Sequence, residues 1–331
     1  MKSSLYYLCI FTFLIACQDK EEAVGRRALA EPPSQQKKDE VICPGDSLSG
    51  IIGGSSVAIG SEVARSTVSL HAVLSEEGGA SCTGTLIGPD IVLTAAHCVK
   101  EIEDRPENLM VSFLSQANCA LTSQETLQHT VSAKAIRVHD DFDELSDIDK
   151  NDVALIKLSR PAPSDMIPVL LVEEGADWTQ ETFLIAGYGR SEGGVGVDPR
   201  PSELRSIERR PLVTDSYEKV KAVVKSVYFL EEDERLFDVF FARVFDLSKE
   251  AVYIWIDQTD RKGMCVGDSG GPAFVHRNGA LKIAGVASHF VNTDKAEETW
   301  LLTSAYTNIQ RNRSWIRTTY QAMTGLEMSK Y

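Results

Sequence analysis

Positive charge is scarce in this 331-residue sequence: 34 lysines and arginines stand against 48 aspartates and glutamates, a formal net charge of −14. Binding to a phosphate backbone depends on Lys and Arg neutralising phosphates, so no nucleic-acid partner is expected. Metal-ligand patterns are missing too. Of the six histidines, those at 71, 129, 139, 276 and 289 form neither an i,i+4 pair nor a His-x-x-Glu-His zinc pattern. The acidic stretch 140–152 lacks the Asp-x-Asp-x-Asp-Gly spacing and terminal Glu of a calcium loop, and reads as a solvated loop. No metal and no cofactor are therefore expected. Internal repeats and low-complexity tracts are absent, which removes solenoids and repeat arrays.

What is present is a chain with 43% apolar residues, long enough to bury a sizeable core in roughly two domains. Lys2 precedes an apolar run over 5–16 that is too short to span a bilayer comfortably and reads as a signal peptide. The run ends in Leu14-Ile15-Ala16-Cys17, which resembles the lipobox of bacterial lipoproteins. That resemblance implies cleavage before Cys17, acylation of its thiol and attachment to a membrane of the cell envelope; an ordinary secretory signal is the alternative. Residues 17–50 hold Pro32, Pro33 and Pro44, show no apolar period, and read as tether and propeptide.

From Ile51 the chain changes to short β-rich runs broken by Gly, Pro, Asn and Asp, at 67–74, 84–93, 109–114, 130–138, 153–158 and 182–186. Many short strands predict an all-β sandwich or barrel. Within this pattern, Val220, Val223, Val224, Val227 and Leu230 recur near helical spacing and predict one inserted helix over 215–245. A second helix is expected over 312–323, with Trp315, Ile316, Thr319 and Tyr320 on one face.

Three segments carry the chemistry: Leu93-Thr94-Ala95-Ala96-His97-Cys98, Asn151-Asp152-Val153-Ala154-Leu155, and Gly267-Asp268-Ser269-Gly270-Gly271-Pro272. A serine hydroxyl is a poor nucleophile until a base takes its proton, and His97 is the candidate base for Ser269. Asp152 would hold the imidazole in its productive tautomer. A glycine at 267 lets the amides of Gly267 and Ser269 face a developing oxyanion, each such donor being worth about 3 kcal/mol.

In their order, these segments resemble the signatures of the trypsin/chymotrypsin family of serine proteases, over about 51–320. The resemblance implies two packed six-stranded antiparallel β-barrels, the first over about 51–165 and the second over about 166–321, with 322–331 as a tail. It implies peptide or protein substrates and an acyl-enzyme mechanism. Ile51-Ile52-Gly53-Gly54 resembles the family's mature N-terminus, which implies a zymogen cut between Gly50 and Ile51, by itself or by an activating protease. The new ammonium would then pair with Asp268. Gly50 departs from the Arg or Lys usual before that bond.

In the primary pocket, Gly263 stands where trypsins place an aspartate, and Ser288-His289-Phe290 where the family has Ser-Trp-Gly. Small or short apolar side chains are therefore the expected preference, and Ser288 is expected to support Asp152. Cys82 and Cys98 match the family's histidine-loop disulfide. With Cys9 lost and Cys17 acylated, Cys43, Cys119 and Cys265 leave one odd thiol; a Cys43 to Cys119 bridge is one pairing.

Two other classes compete. A trypsin-fold binding or adhesion protein without turnover is the first, with Phe290 blocking the pocket or the zymogen left uncut. A lipase-type esterase fits Gly-x-Ser-x-Gly, but needs the order Ser, Asp, His, which the order here excludes.

Overall fold

The computed structural model describes residues 51–328 apart from 76–77, 116–127, 145–150, 179, 190–202, 229–233, 249 and 296–297. Cys9, Cys17, Cys43, Gly50 and Cys119 lie outside the described residues. In chain order the elements are β1 (Ser55–Ser56), α1 (Glu62–Ser66), β2 (Thr67–Val73), β3 (Gly79–Gly88), β4 (Ile91–Thr94), β5 (Leu109–Ser112), β6 (Thr130–Val138) and β7 (Ala154–Leu158). Then follow β8 (Leu170–Leu171), β9 (Phe183–Gly187), β10 (Arg205–Arg209), α2 (Thr214–Tyr228), α3 (Glu234–Val244), β11 (Tyr253–Asp257), β12 (Pro272–Arg277), β13 (Ala280–Lys295), β14 (Glu298–Asn308) and α4 (Ile309–Thr324).

Strands β2 to β7 close into a six-stranded antiparallel barrel in the order β2-β3-β4-β7-β6-β5. Its wall is buried almost throughout, β2 over its first four residues and β4 along its whole length, with Val68, Leu70, Val92 and Ile156 essentially without exposure. The stretch 84–93, expected as one strand, divides into β3 and β4. Pro89 has no N–H for a ladder, and the Pro89 and Asp90 carbonyls instead accept from Ala162 and Leu158 at 2.8 and 2.9 Å.

The second unit differs in strand number from the expected six. It is an eight-stranded sheet in the order β1-β10-β9-β12-β13-β14-β11, with β8 paired in parallel to β13. β1 joins it by pairing with β10, so the residues just after Ile51 belong to this second sheet although they precede the first barrel in sequence. Ile51, Phe183, Ile185, Ile256, Met264 and Tyr306 form its core.

The single helix expected over 215–245 is two helices, α2 and α3. One continuous helix would hold positions 221 and 238 about 25 Å apart, whereas their side chains meet. Val220 and Val224 of α2 and Phe237 and Phe241 of α3 bury a third core against Tyr253, Trp255 and Leu302. Lys221 Nζ bridges to Asp238 at 2.9 Å between the two helices.

α4 begins three residues earlier than expected because Asn308 caps it, its side-chain oxygen accepting from the Gln310 amide at 3.0 Å. It ends at Gly325 with φ +73°, the left-handed stop that glycine favours. Ile316 and Tyr320 are buried, while Trp315 and Thr319 are half-buried. Although α4 follows the last strand of the second sheet, Ile309, Ile316 and Tyr320 join the first barrel's core, so the helix holds the two units together.

Candidate active site

Strand register brings the first two side chains together. Thr94, the last residue of β4, pairs with Ala154, the first of β7. The 3-10 turn Ala96–Cys98 starts two residues beyond Thr94, and Asp152 lies two residues before Ala154, so both leave the barrel at the same end. His97 Nδ1 sits 2.7 Å from Asp152 Oδ2, and the His97 amide donates to Asp152 Oδ1 at 2.9 Å. The residue before the aspartate, Asn151, takes a positive φ of 45°, uncommon for a residue with a side chain and a sign of a constrained turn.

The second sheet closes over Asp152 from the other side. The Ser288 hydroxyl on β13 donates to Oδ2 at 2.6 Å, and Thr307 Oγ1 on β14 donates to the Asp152 carbonyl at 3.1 Å. Asp152 is 1% exposed. Burial alone would raise its pKa; the charge of His97 and the hydrogen bonds from the His97 ring, Ser288 and the His97 amide outweigh burial and hold it well below the usual carboxylate range. An ionised Asp152 favours the proton on Nδ1 of the partly exposed imidazole, the tautomer in which Nε2 carries the lone pair.

The loop Gly267–Gly271 enters β12 and is shaped by its glycines. Gly267 and Gly270 have φ of +94° and +79°. A methyl group on Gly270 would run into the Thr94 hydroxyl and the Thr83 carbonyl. Backbone pairing fixes the loop to β13, the Gly270 amide donating to Ala287 O at 2.7 Å and the Ala287 amide to Gly271 O at 2.8 Å. Ala287 is followed by Ser288, so one stretch of β13 positions both the serine loop and the hydroxyl on Asp152. Ser269 is half-buried, and its carbonyl accepts from the Thr83 amide of β3 at 2.8 Å.

Asp268 is 1% exposed, and its oxygens accept from the Gly189 amide at 2.7 Å and the Cys265 amide at 2.8 Å. Burial dominates over these two donors and pushes its carboxyl up to about 7. No ion pair to it is present among the described residues. Ile51 is fully buried, and the next residue, Ile52, exchanges both backbone hydrogen bonds with Gly263 at 2.9 and 3.0 Å. Tyr306, in the same core cluster as Ile51, has its hydroxyl pKa raised by burial and further by the Asp268 charge.

Around the expected specificity pocket, Gly263 is buried with φ +138°, and Gln258 occupies the room that a side chain there would need. The Gln258 carboxamide is itself pinned, with Nε2 donating to Met264 O and Oε1 accepting from the Met264 amide, both at 3.2 Å. Phe290 is half-buried and packs onto the second core. Cys82 and Cys98 are disulfide-bonded, tying β3 to the histidine turn. Two cavities, of about 370 Å³ beside α4 and about 300 Å³ at the roots of the α2–α3 pair, contain none of the candidate catalytic residues.

Sequence reading missed Thr83, Gly189, Gln258 and Thr307. Gly187-Tyr188-Gly189 at the end of a strand was a legible signal for close backbone approach, since a side chain at either glycine would strike Asp268. Thr83 and Thr307 are polar residues whose partners lie far off in sequence, while Gln258 closes on Met264 six residues on, and no local pattern marks any of the three.

Fold and contacts define a two-unit β protein with a histidine–carboxylate pair and a glycine-rich serine loop where the units meet. The chain belongs to the trypsin family, whose model, described as Trypsin, matches residues 51–316. It is 26% identical over 213 residues to serine protease filzig of Drosophila melanogaster, covering 63% of this chain and 11% of that protein. It is 24% identical over 253 residues to urokinase-type plasminogen activator of Gallus gallus, covering 73% of this chain and 51% of that protein. The matches thus span about a tenth of the first relative and half of the second. A solved structure titled HL collagenase shares the fold, with a TM-score of 0.56 and 22% identity over 84% of this chain and all of that one.

Proposed function

We propose that the chain is a serine endopeptidase in which Ser269 is the nucleophile, His97 the general base and acid, and Asp152 the group that orients His97. The observation that carries this reading is the buried, ionised Asp152 gripping the His97 imidazole beside the Gly267–Gly271 loop. Ser269 Oγ attacks the substrate carbonyl carbon as its proton passes to His97 Nε2; the C–N bond then breaks and the same proton leaves with the amine. Water repeats the sequence on the acyl-enzyme. The amides of Gly267 and Ser269 stabilise the oxyanion in both halves.

The precursor is cut between Gly50 and Ile51. A buried Asp268 without an ion pair among the described residues, together with a buried Ile51, supports this: an ammonium at Ile51 would compensate that carboxylate. Small or short apolar side chains are preferred before the scissile bond, since Gln258 fills the space beside Gly263 and Phe290 replaces a glycine. Gly50 fits the same preference, which permits self-activation. Acylation at Cys17 places the enzyme on a membrane of the cell envelope.

The test is intact-mass and N-terminal analysis of the chain made from Gln18 onward and exposed to a fluorophosphonate, with Ser269→Ala as control. One adduct on Ser269 of a chain beginning at Ile51 is expected. A chain that begins at Ile51 and takes no adduct would sink the reading in favour of a trypsin-fold binding protein. Peptide-library profiling checks specificity; strong cleavage after Arg or Lys would contradict it.

A further inference from the structure

We propose that Thr83, in the middle of β3, is a positioning residue that holds the candidate oxyanion loop in shape and against the barrel carrying His97. The inference rests on the serine-peptidase reading above and adds a residue to it.

Thr83 is fully buried, and each of its polar groups is used at the boundary between the two units. Its hydroxyl donates to Gly267 O at 3.1 Å and accepts from the Tyr188 amide at 3.1 Å. Its own amide donates to Ser269 O at 2.8 Å, and its carbonyl accepts from the Thr94 hydroxyl at 2.9 Å. Tyr188 immediately precedes Gly189, whose amide donates to Asp268. Thr94 lies three residues before His97, and Cys82, the neighbour of Thr83, is bonded to Cys98 beside His97. One side chain therefore joins the two backbone segments that flank Asp268, while its backbone joins Ser269 to the histidine's strand.

Burial alone does not account for this. Thr85, two residues on and therefore on the same face of β3, buries its hydroxyl without a hydrogen-bond partner among the described residues, as does Thr67 on β2. The barrel wall thus accommodates a buried threonine for its packing alone, whereas the Thr83 hydroxyl is engaged twice, once with the Gly267 carbonyl of the loop and once with the Tyr188 amide just after β9. The loop needs such a hold: Gly267, Gly270 and Gly271 make it conformationally permissive, and the direction of the Gly267 carbonyl fixes the peptide plane beside the oxyanion donors.

The experiment compares the wild-type chain with Thr83→Val, which keeps the shape and removes the hydroxyl, and Thr83→Ser, which keeps the hydroxyl and removes the methyl. Steady-state cleavage of a peptide and amide hydrogen exchange over residues 265–271 are both measured. Thr83→Val is expected to lower kcat about tenfold with KM within about twofold of wild type, as loss of one hydrogen bond that matters in the transition state should. Exchange over 265–271 should rise, and Thr83→Ser should restore kcat to within about threefold. A Thr83→Val enzyme within about twofold of wild type in kcat, or a loss that Thr83→Ser shares equally, would overturn the proposal. If the wild type turns over nothing, the serine-peptidase reading fails by its own test; exchange then decides the loop-holding role, and unchanged exchange in Thr83→Val rejects it.

Discussion

Asp268 makes the uncut chain sensitive to pH in a definite direction. Its carboxyl is pushed up to about 7 by burial from an ordinary value of 3.8, so the folded chain binds this proton more tightly than the unfolded chain. The associated stability is fully present below about pH 4, declines as pH rises, and is lost above about 7. A displacement of about 3 pH units corresponds to about 4 kcal/mol across that window. Asp268→Asn has no such proton to lose. The quantity to measure is therefore the difference in unfolding free energy between wild type and Asp268→Asn, by urea titration of the uncut chain from pH 4 to 8. His71, whose pKa burial lowers, contributes a slope of the opposite sign, but it is common to both chains and cancels. Asp152, held low, contributes stability present above its unfolded value and lost only as pH falls further, outside this window. Cleavage before Ile51 should shrink the difference, because an ammonium beside Asp268 would draw its pKa down. If wild type and Asp268→Asn of the uncut chain keep a constant offset from pH 4 to 8, the buried, uncompensated carboxyl is wrong, and with it the physical basis for the activation ion pair.

Other expected outcomes concern the same neighbourhood. Ser288→Ala removes the 2.6 Å hydrogen bond to Asp152 and should lower kcat/KM about tenfold while His97 keeps its two contacts, checked by steady-state kinetics. Gly270→Ala would place a methyl group against the Thr94 hydroxyl and Thr83 carbonyl at a positive φ, so a loss of about 3 kcal/mol is expected in denaturant unfolding. Replacing Cys82 and Cys98 together by alanine opens a loop with a sequence separation of 16 and should cost about 3 kcal/mol, read from the shift in unfolding midpoint.

What the sequence by itself determined was local chemistry and family. Strands β2, β6 and β9 fall within a residue or two of their expected limits, because β-rich runs bounded by turn-forming residues mark where a strand starts and stops. Gly267–Gly271 and the His97 turn were legible because their backbone demands restrict residue type over a few consecutive positions. Where the pattern was ambiguous, expectation and structure part: 84–93 looks continuous until Pro89 breaks the ladder, and 215–245 looks like one helix, whereas α2 and α3 meet side by side through Lys221 and Asp238.

The tertiary structure decided everything that depends on residues far apart in the chain. That Ser288 and Thr307 close over Asp152, and that Gly189 is a donor to Asp268, follow from the packing of segments scores of residues apart. Period and composition act over one or two turns of chain, and they say which face is buried. Which partner waits on that face is set only when the barrel closes against the second sheet, and for a polar residue such as Thr83 that partner is the whole of its function.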